Sequence, residues 1–170
     1  MKLSIRRIMP NDIGALSNMV ADMHEEYTDK HNESYPLIDA DEIEKMMFLV
    51  LAGIGNPNVC HLIAYDGKKP VGFFLGTLGT HPYGKPGKVG IANDLYVVPD
   101  KRGHEVGLAL VRKAVEAAIQ LGAESLEAVG TYGRTDKRWE ALGFRPYLTY
   151  LHMPIDEGAK LFVKVKKESA

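Results

Sequence analysis

The residues best suited to chemistry lie between Asn93 and Leu121. The β-branched and aromatic run through Leu95-Tyr96-Val97-Val98 predicts a strand. Pro99 stops it, because proline offers no N–H to a ladder. Lys101-Arg102-Gly103 then forms a charged turn with a glycine. From Val106 onward, Val106, Leu110, Ala114, Ala118 and Leu121 recur at three- and four-residue steps, the period of a helix. Strand, turn and helix in that order aim several backbone N–H groups, and the positive end of a helix dipole, at one point. Such a point binds phosphate or pyrophosphate, and Arg102 adds a charged donor beside it.

Other patterns in the chain fail on physical grounds. Gly53-x-Gly55 lacks the third glycine of a dinucleotide fingerprint, since Asn58 stands there and a strand follows. Gly79-x-x-x-x-Gly84-Lys85 begins like a phosphate-binding loop, but Pro86 replaces the hydroxyl residue and no helix follows. His24-Glu25 lacks the second histidine of a zinc-binding helix, and His61, His81 and His152 are scattered, so no metal is expected.

The elements that must position the turn follow from periodicity. Leu3–Arg7 alternates like a strand. Pro10-Asn11-Asp12 opens a helix carrying Ile13, Leu16, Met19, Val20 and Met23 inward to about Tyr27. Tyr27 to Asp39 lacks a period and is expected to be a loop. A second helix is expected over Asp41–Leu51. Val59–Tyr65 and Val71–Leu78 flank Asp66-Gly67-Lys68-Lys69, a hairpin signal. The central strand covers Val89–Val98. After its helix come a strand over Ala123–Val129, a short helix within 131–142 and a last strand over Phe144–Ile155. The order β-α-α-β-β-β-α-β-α-β predicts an α/β protein with a mixed, mostly antiparallel sheet and helices on both faces.

The chain has 170 residues, enough for one domain with a real core. We place that domain at residues 1–155, with 156–170 as a tail. Leu161, Val163 and Val165 alternate with lysines there, which fits an edge strand, a partner contact or a disordered basic segment. A net charge of −1 leaves no nucleic-acid footprint. No apolar run reaches ~18 residues, so no membrane partner is expected, and the N-terminus lacks a signal-peptide core. The single cysteine, Cys60, cannot form an internal disulfide and lies in an apolar strand. A packed thiol in a reducing cytoplasm is the simplest reading.

Arg102-x-x-x-x-Gly107-x-Ala109 after a strand resembles the acetyl-CoA motif of the GNAT family of N-acetyltransferases. Arg102 and Gly107 fit that motif, whereas Glu105 stands at its first glycine. Trp139-Glu140-Ala141-Leu142-Gly143-Phe144 resembles a second family segment that usually begins with tyrosine. The element order resembles the family from about residue 3 to 154.

The resemblance implies a GNAT-like fold whose two central strands splay apart around the pantetheine arm of acetyl-CoA. It implies that amides of Arg102, Gly103, His104, Glu105, Val106, Gly107, Leu108 and Ala109 cradle the pyrophosphate. Val97 and Val98 would pair with the pantetheine, and an N–H near Leu95 or Tyr96 would meet the acetyl oxygen. Two readings of Glu105 follow: its carboxylate points outward, or it competes for the amides. Asp94 is the candidate base, against a structural or solvent-facing role. Trp139 cannot give a proton, because an indole N–H is not acidic. Tyr132 is then the candidate acid, with Tyr147 and Tyr150 behind it. The expected reaction moves an acetyl group to a primary amine of a small molecule or protein. The alternative is a non-catalytic acyl-CoA-sensing or partner-binding module. The acidic window Asp22 to Glu44 would attract a cationic acceptor or be a solvated surface. A homodimer is compatible with the sequence.

Overall fold

A computed structural model describes residues 2–31, 39–80, 87–103, 105–128 and 136–145. Its elements are β1 (Leu3–Arg7), a 3₁₀ turn (Pro10–Asp12), α1 (Ile13–His31), α2 (Ala40–Gly53), β2 (Val59–Asp66), β3 (Lys69–Thr80), β4 (Lys88–Val97), a second 3₁₀ turn (Pro99–Lys101), α3 (Val106–Gln120), β5 (Ser125–Ala128) and α4 (Asp136–Ala141). The first expected loop is a correction: α1 runs four residues past Tyr27, to His31. Residues 32–38 lie outside the described residues, as do 146–170, which hold most of the expected last strand and the tail. Tyr132, Tyr147, Tyr150 and His104 lie outside them too.

The sheet order is β1-β2-β3-β4-β5. The first four strands pair antiparallel, and β4 pairs parallel with β5. The sheet is therefore mixed and mostly antiparallel, as expected. Its two faces bury two apolar clusters. One packs α1 and α2 residues Leu16, Met19, Val20, Met23, Met47 and Val50 against Ile63, Phe73, Leu75 and Tyr96. The other packs α3 residues Val106, Leu110 and Ala114 against Leu62, Ala64, Phe74 and Ala92. Helices thus cover both faces. Each fully buried aliphatic or aromatic side chain contributes roughly 1.5–3 kcal/mol, which fixes α3 and β4 relative to each other.

Two local devices hold the α1 and α2 entries. Asp12 accepts from the Met9 N–H at 2.8 Å and closes the turn before α1. Asp39 N-caps α2 by accepting from the Glu42 N–H at 2.9 Å, and Glu42 accepts back from the Asp39 N–H at 3.2 Å. This reciprocal cap satisfies two otherwise orphan donors. Among the described residues no helix is long and apolar enough to cross a membrane. Cys60 is buried among the α3-face cluster, and burial pushes its thiol pKa up. That is the environment of a packed thiol.

Candidate acetyl-transfer site

The site begins with a defect in the ladder. Leu75 pairs with Asp94, but the next β3 residue, Gly76, pairs with Ala92. Asn93 is the extra residue of a β-bulge, which bends and re-aims a strand. Beyond the bulge no second neighbour of β4 lies among the described residues. Parallel pairing with β5 runs only from Val89↔Ser125 to Ala92↔Ala128. Among the described residues, Leu95 to Val97 therefore have a strand on one side only.

Ladder alternation decides which groups line that open edge. The Val98 N–H donates to the Val71 carbonyl at 3.1 Å, so Val98 faces β3. In an antiparallel pair the facing residues alternate, so Tyr96 and Asp94 also face β3, while Leu95 and Val97 present their N–H and C=O groups outward. The sequence expectation needs correction at Val98. Its N–H is on Val71, and its carbonyl accepts from the Lys101 N–H at 2.9 Å. Of the four expected residues, Leu95 and Val97 have the geometry to pair with a ligand laid along the edge.

The strand leads straight into the cradle. The turn after β4 is held by three consecutive charged residues, each paired with a different element. Asp100 meets Lys69 of β3 at 3.5 Å, Lys101 meets Asp66 of β2 at 2.9 Å, and Arg102 meets Glu26 of α1. These pairs are partly exposed, so they orient the turn more than they stabilise the fold. Glu105 then takes φ +63° and ψ 0°, the left-handed conformation. It is the one non-glycine among the described residues with positive φ. A side chain there costs about 1–2 kcal/mol relative to glycine. The backbone takes a shape that favours glycine while the residue carries a carboxylate. That carboxylate is exposed and makes no cap bond.

The amides sort into used and open. The Arg102 N–H donates to the Pro99 carbonyl at 3.3 Å, and the Ala109 N–H to Glu105 at 2.9 Å, so both are already spent. The N–H groups of Val106, Gly107 and Leu108 begin α3 and have no acceptor among the described residues. With those of Gly103 and Glu105, which likewise have no backbone acceptor among the described residues, they form a donor set at the positive helix end. A Cβ on Gly107 would come no closer than 3.6 Å to Val97, so this glycine is not forced by crowding from the protein itself.

Arg102 departs from expectation. Its Nε donates to the Val97 carbonyl at 2.8 Å, and its terminal nitrogens donate to Glu26 at 2.7 and 2.5 Å. Its guanidinium carbon lies 5.4 Å from the Tyr96 ring centroid. The fork faces α1 and the strand edge instead of standing free at the helix end. Sequence reasoning missed Glu26, which stands 76 residues earlier in the chain with nothing to mark it.

Asp94 lies on the α1–α2 face of the sheet, opposite Leu75 in the ladder and on the same side as Tyr96. It is half-buried, has no hydrogen-bond partner among the described residues, and burial pushes its pKa above the ordinary 3.8. A carboxylate raised by burial, with no such partner among the described residues, is the kind of group that can exchange a proton. Trp139 packs against the α3-face cluster and meets Phe144 edge-on at 4.9 Å, which accounts for it as a packing residue. Within the acidic window, Asp22 and Glu25 are exposed, whereas Glu26 is tied to Arg102 and Asp39 and Glu42 cap α2. Among the described residues no set of His, Cys, Asp and Glu could hold a metal ion.

The Acetyltransferase (GNAT) family model matches residues 20–144, spanning the bulged strand, the turn and α3. The chain belongs to the GNAT family of acetyltransferases. A relative in Schizosaccharomyces pombe, named an uncharacterized N-acetyltransferase, is 30% identical over 115 residues, which cover 66% of this chain and 68% of that protein. Among solved structures, AAC(6')-Iy in complex with a CoA-linked bisubstrate analogue aligns at TM-score 0.73 and 14% identity, covering 91% of this chain and 98% of that one. A Clostridium acetobutylicum protein described as a predicted acetyltransferase, solved with acetyl-CoA, aligns at TM-score 0.72 and 16% identity, covering 91% and 97%. At those identities the structural likeness speaks for the GNAT fold.

Proposed function

We propose that this GNAT protein transfers an acetyl group from acetyl-CoA to a primary amine, borne by a cationic small molecule or by a protein. The observation that carries this reading is the continuity of two donor surfaces. The outward edge of Leu95 and Val97 runs through one anchored turn into the open amides of Val106, Gly107 and Leu108. An extended arm with amide groups suits the edge, in the manner of an added strand. A pyrophosphate suits the helix end. The donor set therefore fits acetyl-CoA.

Each residue then has a task. The open amides of Gly103 and of Glu105 to Leu108 hold the pyrophosphate. Val97 aligns the arm. The outward N–H of Leu95 faces the acetyl oxygen, where one such donor is worth about 3–4 kcal/mol to developing negative charge. Asp94, on the α1–α2 side of the strand, takes a proton from the incoming ammonium so that the neutral amine attacks. Tyr132 is retained as the proposed proton donor to the departing thiolate. The acceptor enters from the α1–α2 side, where Asp22 and Glu25 add negative charge. The departures from the family motifs at Glu105 and Trp139 are what favour a non-catalytic module. At Glu105 the left-handed backbone and exposed carboxylate leave the amides open, which supports a working cradle.

Thermal melting with acetyl-CoA tests the first half of this reading. The midpoint should rise, by an amount equivalent to about 2.7 kcal/mol at a ligand concentration one hundred times Kd. No rise at millimolar acetyl-CoA would remove the cosubstrate. Release of free thiol over a panel of polyamines, aminoglycosides and lysine peptides tests the second half. Binding with no turnover on any amine would leave the sensing module as the better account.

A further inference from the structure

Of the outward-facing carbonyls on the open edge of β4, Val97's is engaged by a side chain, the Nε of Arg102 at 2.8 Å. We propose that Arg102, fastened by Glu26, competes with the cosubstrate's amide-bearing arm for the Val97 carbonyl, so that this pair sets cosubstrate affinity from α1. The inference rests on acetyl-CoA as cosubstrate and deepens that reading. It reverses the role the motif gives this arginine.

The geometry favours a fixed contact over an incidental one. A guanidinium is planar, with its donors in a rigid fork. Both terminal nitrogens sit on the two oxygens of Glu26, which leaves Nε a single direction. The Tyr96 ring at 5.4 Å restrains the same group from below. Arg102 is one-third exposed and Glu26 one-fifth, so the pair is partly shielded from water but remains reachable by a ligand at the edge. An arm laid along β4 needs edge acceptors for its own N–H groups. At Val97 it meets a charged donor already in place. The arm must displace Nε, share the oxygen through its second lone pair in a direction that Nε crowds, or give up that hydrogen bond, and each outcome weakens binding. Glu26 belongs to α1, the helix on the acceptor side. Any movement of α1 would therefore be felt at the cosubstrate edge.

The test is a Glu26→Gln/Arg102→Met double variant, which removes the donor and its anchor while keeping the pair's summed charge at zero. Coenzyme A is titrated into wild type and variant by calorimetry, with thermal melting to show that both are folded. The Kd of the variant should be about tenfold lower, the effect of one recovered hydrogen bond. An unchanged or higher Kd overturns the proposal. Arg102→Met alone sharpens the sign. A phosphate-binding arginine would give a raised Kd on losing its charge, whereas competition gives a lowered one. Arg102→Lys keeps the charge with a single nitrogen that cannot serve Glu26 and Val97 together. It should lower Kd by a few-fold, and it carries the test if the double variant does not fold. Coenzyme A binding by wild type with no gain in any variant removes this inference alone. No binding by any of the chains removes both it and the acetyl-CoA reading.

Discussion

Asp12, in the turn before α1, and Asp94, on β4, are shielded carboxylates, and the fold treats them in opposite ways. Asp12 accepts from both terminal nitrogens of Arg6 at 2.6 and 2.8 Å, from the Tyr65 hydroxyl at 2.6 Å and from the Met9 N–H at 2.8 Å. The Arg6 hydrogen bonds, chief among these causes, hold its pKa at about 2. Asp94 is half-buried with no hydrogen-bond partner among the described residues, and burial moves its pKa up. A carboxylate whose lone pairs are all engaged serves the structure. One that is buried and left unpaired costs stability and is available for proton transfer.

That contrast can be broken in several places. The largest effect should come from Asp12→Ala, which strands Arg6, Tyr65 and the Met9 N–H. We expect a loss of about 3 kcal/mol, measured from the denaturant midpoint at constant m-value. A loss under half that size would mean that water replaces these contacts readily. Next in size, Asp94→Asn should slow turnover about 100-fold while coenzyme A affinity is unchanged. The acid limb of kcat/KM in wild type should sit above the ordinary carboxylate range, because Asp94 must be ionised to accept a proton, and it should vanish in the variant. An unaltered pH profile would take Asp94 out of the mechanism.

Acid titration of stability comes third. The Asp12 pKa is depressed in the folded state, to about 2 from 3.8, so its contribution is fully present above pH 3.8 and is lost as pH falls toward 2. The shift corresponds to about 2 kcal/mol, and Asp12→Asn should remove this part of the pH dependence. The smallest effect has the opposite sign. The raised pKa of Asp94 penalises the folded state at neutral pH, once the group is ionised. Asp94→Asn should therefore raise the melting midpoint, by a few degrees at most. A fall would show that the carboxylate has a structural partner.

Much of this was legible in the chain. The α3 period, the Asp66-Gly67 hairpin and the Asp94-to-Gly107 run are local signals, and each appears where its residues predict. The bounds of α1 were less legible because Tyr27 to His31 offers no apolar period, and helical hydrogen bonding carries the element on without one. The site was only half visible. Which of Leu95 to Val98 face outward depends on the register with β3, and no single strand encodes its partner's phase. The Arg102 motif suggested phosphate, but the side chain answers to Glu26, a partner supplied by tertiary packing alone. Glu105 looked like a damaged glycine by type. By backbone angle it is not one, and side-chain identity does not report φ.

The single surplus residue at Asn93 has a wider effect than a bend. Ala92 and Leu95 both contact the α3-side cluster although they stand three apart, an odd interval that a regular pleat forbids. One inserted unit shifts the strand by a half-step, so that everything downstream exchanges sides. Were Asn93 to join the pleat as an ordinary paired residue, Asp94 would turn toward the apolar packing beneath α3 and Leu95 toward α1 and α2; with Asn93 bulged out, both keep the sides they would have in a ladder that lacked it. Which wall each of these side chains lines thus depends on one residue standing outside the ladder.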